Sequence, residues 1–199
     1  MGVIKTALEI ALEKTESVKS DKSSIDQFDA RQKGKKLANI FLSAGSGEEI
    51  NLDEELKKTP ANVKESIRQG IFDVLITQIA LPNAKEDENK LEKLGKGFSA
   101  IIKNKEFAVM YDQLTQLFAQ YLQESSQYEQ MIRQQYAPKL RQKEEEVSRR
   151  MGREVRIDPF QDPEFVAFYN QHMGAIKGNY EPVVEQAREE ARRMFSEQA

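Results

Sequence analysis

Between Asn104 and about Met151 the chain carries helix-forming sequence for more than forty residues, interrupted by one proline, Pro138. Apolar and aromatic residues recur there in alternating steps of four and three: Phe107, Tyr111, Leu114, Phe118, Tyr121, then Ser125, Tyr128 and Ile132. A period near 3.5 keeps one face of a helix against a partner helix, and the pattern predicts a packing seam along these positions. Beyond Ile132 the seam continues through Tyr136, Leu140, Val147 and Met151, and Met110, Leu117, Leu122 and Met131 widen its first half. A helix rises ~1.5 Å per residue, so this stretch spans about 65–70 Å. The rest of the chain must be arranged around it.

The sequence before Asn104 predicts a bundle of shorter helices. Residues 3–18 place Val3, Ile4, Ala7, Leu8, Ala11, Leu12 and Val18 on one face, opposite Lys5, Glu9, Glu13 and Glu16. Ser20–Ser24 reads as a capping cluster opening a second helix with Ile25, Phe28, Leu37, Ile40 and Phe41, closed by the loop Ser43–Gly47. A short helix is expected within residues 48–58. Thr59-Pro60 reads as an N-cap and first helical residue, leading into the most apolar stretch, Ile71–Leu81, placed at the bundle's centre. A further helix from about Lys85 is expected to break at Gly95-Lys96-Gly97.

After the long helix Gly152 provides a stop, and Arg153–Pro159 alternates as a short extended piece. Asp162-Pro163 caps a helix with Phe165, Phe168, Tyr169 and Met173 on its apolar face. A break at Gly174–Gly178 precedes a last helix from about Tyr180. The expected architecture is all-α: a helical head over residues 1–103, and over 104–199 a stalk in which two return helices run antiparallel to the long one.

Chemistry is sparse. The chain has no Cys and one His, His172, which removes thiolate nucleophiles, thiolate metal sites and paired-histidine sites. Leu94-Gly95-Lys96-Gly97 lacks the spacing, the following Lys-Ser/Thr pair and the preceding strand of a phosphate loop. The runs Asp53–Glu55, Glu86–Glu88 and Glu144–Glu146 are consecutive, so a helix fans them around its axis as solvated charge. No catalytic, metal or cofactor-binding residue is assigned, no small-molecule substrate is indicated, and the expectation is a non-enzyme. No segment approaches the ~20 apolar residues of a membrane span. The opening Met1–Thr6 fits a myristoylation pattern, but with too few fixed positions to carry weight. A soluble cytoplasmic protein is expected.

Two features point outward. On a chain of net charge −3, Arg133 and Lys139 lead into the candidate basic tip, Arg141, Lys143, Arg149, Arg150, Arg153 and Arg156. Such a tip suits RNA backbone or an acidic protein surface, although arginines also offset the dipole at a helix C-terminus and pair with glutamates one turn away. The second is Tyr111, Tyr121, Tyr128 and Tyr136, read as packing against the return helices rather than as base-stacking residues.

Two further stretches carry a resemblance. Ala7-Leu8-Glu9-Ile10-Ala11-Leu12-Glu13-Lys14-Thr15 with Gly34-Lys35-Lys36-Leu37 is one. Gln134–Glu144, running on through Met151-Gly152-Arg153 to Asp158-Pro159 and Asp162–Phe165, is the other. Together they resemble a family of uncharacterised bacterial proteins of this length, which implies a bacterial cytoplasmic setting and supplies no functional residues. The expected function is a helical interaction protein that docks onto a larger assembly or self-associates. A ribosome- or RNA-associated factor using the basic tip is the second reading, and a chaperone-like holder using the Tyr/Met stripe the third.

Overall fold

The computed structural model of the chain describes residues 7–43, 50–84 and 87–198, without the side chains of residues 7–22 and Glu88. The described residues are all-α, with no strand and six α-helices: α1 Ala7–Ser43, α2 Leu52–Lys58, α3 Ala61–Gln78, α4 Asp87–Ile101, α5 Lys105–Met151 and α6 Pro163–Ser196. None is long and apolar enough to cross a membrane. The myristoylation pattern, the apolar positions Val3 and Ile4, and the loop beyond Ser43 lie outside the described residues.

Three expected breaks are absent. α1 runs unbroken through Ser20–Ser24, because serine costs a helix only a few tenths of a kcal/mol and neither Pro nor Gly interrupts it there. α4 continues through Gly95 and Gly97. Gly97 sits against the Phe41 ring and the Leu75 methyls, so its missing side chain makes room for a neighbour. α6 is one helix of 34 residues across Gly174, Gly178 and Pro182. Both glycines adopt ordinary helical geometry, and apolar residues on either side of them are buried. The start of α3 also differs: Pro60 occupies the N-cap position, while Thr59 closes α2 with its Oγ1 donating to the Glu55 carbonyl.

The helices form two compact units. The first draws on Met1–Ile79, Lys90–Ala108 and Ala191–Ala199. Its centre is α3, with Ile67, Ile71, Leu75 and Ile79 almost fully buried. α1 packs on α3 through its small residues rather than its large ones. Ala30, Gly34 and Ala38 are buried, whereas Ile25 and Phe28 are 60% and 62% exposed and Ile40 is also exposed. A Cβ on Gly34 would strike the Ile67 carbonyl oxygen, and one on Gly70 the Arg31 carbonyl oxygen. Arg31 donates both arms of its guanidinium to Asp73 at 2.7 and 3.0 Å across the same crossing. Phe72 stacks on Phe195 with centroids 4.1 Å apart, which brings the end of α6 into this unit. Arg68 lies over the Phe195 ring, 4.7 Å from its centroid, and donates to the carbonyls of Ile101 and Gln198.

The second unit comprises Ala80–Asn89 and Val109–Glu190. Here α5 and α6 run antiparallel. Tyr121 meets Tyr180 edge-on at 5.1 Å, and Ile132 and Tyr136 pack with Phe165, flanked by Leu140, Phe168, Tyr169 and Met173. The inward stripe of α5 is Tyr111, Leu114, Phe118, Tyr121, Ser125, Glu129, Ile132, Tyr136, Leu140, Lys143 and Val147. Ten steps cross 36 residues, about 3.6 per step, so the stripe drifts from a strict 3.5 repeat. That drift puts Glu129 inward and leaves the expected seam residue Tyr128 41% exposed. α5 also continues through Pro138, which lies on the exposed side of the helix.

Candidate interaction surface at the end of the long helix

The site is built where α5 ends and the chain turns back. Gly152 has φ +64°, the left-handed conformation that stops a helix at little cost to glycine. The connector that follows is extended rather than paired in a sheet, and it retraces the last turns of α5. The Val155 N–H donates to Ser148 Oγ at 2.9 Å, and the Ile157 N–H donates to Glu144 Oε1 at 2.9 Å. Asp158 then caps a single 3-10 turn, Pro159–Gln161, and Asp162 caps α6 with Pro163 as its first residue.

Asp162 is the one buried charged residue among those described, 5% exposed. Lys143 Nζ donates to both its carboxylate oxygens at 2.8 Å and to Glu164 Oε2 at 2.7 Å. The Tyr136 hydroxyl donates to Asp162 Oδ2 at 2.9 Å, and Lys139 pairs with Glu164 at 2.9 Å. The ammonium of Lys143 holds the Asp162 carboxyl below its ordinary value, and with Lys139 it lowers that of Glu164 to about 2. The two carboxylates raise Lys143 in turn. This is a closed set of charges, each answered by another. It latches the start of α6 onto α5.

The latch divides the predicted basic tip. Lys143 is spent inside it. Arg149 makes a loose 3.7 Å pair with Glu145 at 81% exposure, and Arg156 pairs with Glu154 at 3.2 Å. Arg141, Arg150 and Arg153 are exposed and have no carboxylate within ion-pair distance among the described residues. Arg149 through Glu154 are six consecutive exposed residues, with Met151 at 55%. Over residues 141–158 six basic residues meet five acidic ones, Glu144, Glu145, Glu146, Glu154 and Asp158.

The packing residues divide as well. Phe107, Tyr111, Leu114, Phe118 and Ile132 are buried, Tyr121 is half-buried, and Tyr128 and Met131 are exposed. The four tyrosines therefore do not share one surface. Burial pushes the Tyr111 hydroxyl up, and Tyr180, donating to Glu124 at 2.7 Å, is pushed up to about 12. His172 is half-buried with its ring edge-on to Phe168 at 4.4 Å. Among the described residues no group of three His, Cys, Asp or Glu is placed to hold a metal ion.

Sequence reasoning missed Ser148, Glu144 and the Asp162 latch. The Asp162-Pro163 cap was legible, but its partner Lys143 lies 19 residues away, a pairing no local pattern encodes.

A family model matches residues 53–193, and the chain belongs to that family, a family of unknown function (DUF6657). The match includes the second of the two resembling stretches and leaves α1 outside it. No curated protein and no solved structure matches the chain.

Proposed function

We propose that the protein is a non-enzymatic interaction protein whose second unit presents the end of α5 to a protein partner. One observation carries this reading: six consecutive exposed residues, Arg149–Glu154, are held on a helix end whose return is fastened at three places. A surface fixed before its partner arrives loses little conformational freedom on binding. Proteins that dock use such surfaces, and arginine and methionine are over-represented at the contacts they make. The cytoplasmic, bacterial adaptor expected from the sequence is the particular form this proposal takes.

The RNA reading is the weaker one. Lys143 is committed to the latch, and five carboxylates interleave with the remaining cations, which blunts the field a phosphate backbone would meet. Affinity capture of the intact protein from its source cells, with and without nuclease, tests both. A defined set of proteins retained after nuclease supports the proposal. Recovery of RNA, with every protein partner lost on nuclease treatment, would overturn it in favour of the RNA reading.

A further inference from the structure

We infer that the turn Arg150–Met151–Gly152–Arg153 is a docking site for a protein segment that presents carboxylates around an apolar side chain. The inference rests on the interaction-protein reading above and names the chemistry of the partner.

The placement of unanswered charge is the first ground. Arg31, Arg68, Arg133, Arg149, Arg156, Arg188 and Arg193 each have a carboxylate within 4.0 Å. Arg141, Arg150 and Arg153, all near the end of α5, have no carboxylate that close among the described residues. A guanidinium presents paired N–H donors in a fork that matches a carboxylate, so these side chains are preset for that group. Between Arg150 and Arg153 stands Met151, exposed and flexible, a side chain that adapts to irregular apolar surfaces.

The second ground is rigidity. Gly152 sets the turn, and the Val155 and Ile157 N–H groups tie the following residues to Ser148 and Glu144. Arg150 and Met151 ride on the helix itself. The guanidiniums are thus offered from a fixed backbone.

The third ground separates protein from nucleic acid. Base stacking needs an open aromatic face. The exposed ring of Phe160, in the turn before α6, is covered by the Arg133 guanidinium at 5.0 Å and bordered by Phe165 and Tyr169. A protein surface can alternate its charges to meet Glu145 and Glu146 as well as the arginines; a phosphate backbone cannot.

The test replaces Met151 with the apolar photocrosslinker benzoylphenylalanine in the full chain, irradiates source cells, and identifies adducts by mass spectrometry. The expected result is a nuclease-resistant protein adduct whose crosslinked peptide contains Asp or Glu. Its yield should fall by roughly tenfold or more with Arg150→Glu and Arg153→Glu together. With Arg150→Lys and Arg153→Lys, which keep the charge but not the fork, it should recover only in part. Because Arg150 and Arg153 make no ion pair or hydrogen bond among the described residues, all variants should keep the fold, the charge reversals melting no more than a few degrees lower through the helix dipole. An RNA adduct, an adduct indifferent to charge reversal, or no adduct would overturn the inference. Nuclease-resistant partners captured without any adduct at position 151 would overturn this site and leave the interaction reading standing. Capture of no partner at all would overturn both.

Discussion

Asp162, with Lys143 as its partner, shows how one buried carboxylate can set the course of a connector. Removing a carboxylate from water costs free energy that only close partners return, and here one ammonium, one phenol and the Glu164 N–H supply them. Asp162→Ala should therefore cost more than the loss of a helix cap alone, about 1–2 kcal/mol, because it also removes the acceptor of the buried Tyr136 hydroxyl and one of the two carboxylates on Lys143. The latch has a pH signature. Asp162 and Glu164 are depressed from ordinary values of 3.8 and 4.5, Glu164 to about 2. Depressed carboxylates stabilise the fold above their unfolded values, and that stability is lost as pH falls through the folded ones. Denaturant midpoints should hold down to about pH 5 and then fall steeply toward pH 2. The double variant Asp162→Asn, Glu164→Gln should start lower and fall less. An equally steep fall in the variant would assign the acid sensitivity to other groups.

At the scale of the elements, the α1–α3 crossing depends on two glycines whose absent side chains let backbone meet backbone. Gly34→Ala or Gly70→Ala would place a methyl on a carbonyl that cannot move without separating the helices. Each should destabilise the first unit by about 1–3 kcal/mol in urea titrations; a neutral result would mean the helices do not approach so closely. Leu114→Asp, at a position 5% exposed on α5, should cost about 3 kcal/mol or more, since it buries a charge with no partner provided. A loss below about 1 kcal/mol would place Leu114 outside the core.

The elements also show what the chain made legible. The length of α5, its stop at Gly152 and the Asp162-Pro163 start of α6 follow from local rules of spacing and capping. The breaks expected at Ser20–Ser24, Gly95–Gly97 and Gly174–Gly178 did not, because a helix interior tolerates serine and glycine when residues on either side are held. α1 misled differently. Ile25, Phe28 and Ile40 lie exposed, while Ala30, Gly34 and Ala38, faint on any hydrophobic scale, are buried at the contact. Of the site, the arginines were visible as a run of charge. Which of them are answered by carboxylates depends on pairings fixed by the fold.

On the scale of the whole molecule, an all-α fold carries the proposed role in binding other proteins, centred on the turn after α5. The family match, from α2 into α6, takes in every residue of that turn and of its fastenings. The proposed role requires a turn that is preformed, held by Ser148, Glu144 and the Lys143–Asp162 latch before any partner arrives. Hydrogen exchange at the Val155 and Ile157 amides in the isolated protein is the measurement to make. Both are outside any helix, and each donates to a side-chain acceptor. Slowed exchange is expected at both, at least about tenfold below the free-chain rate. Protection at Val155 should be lost in Ser148→Ala, and at Ile157 in Glu144→Ala. Exchange at the free-chain rate in the parent protein would contradict the claim: the turn would then be ordered, if at all, only by what it binds.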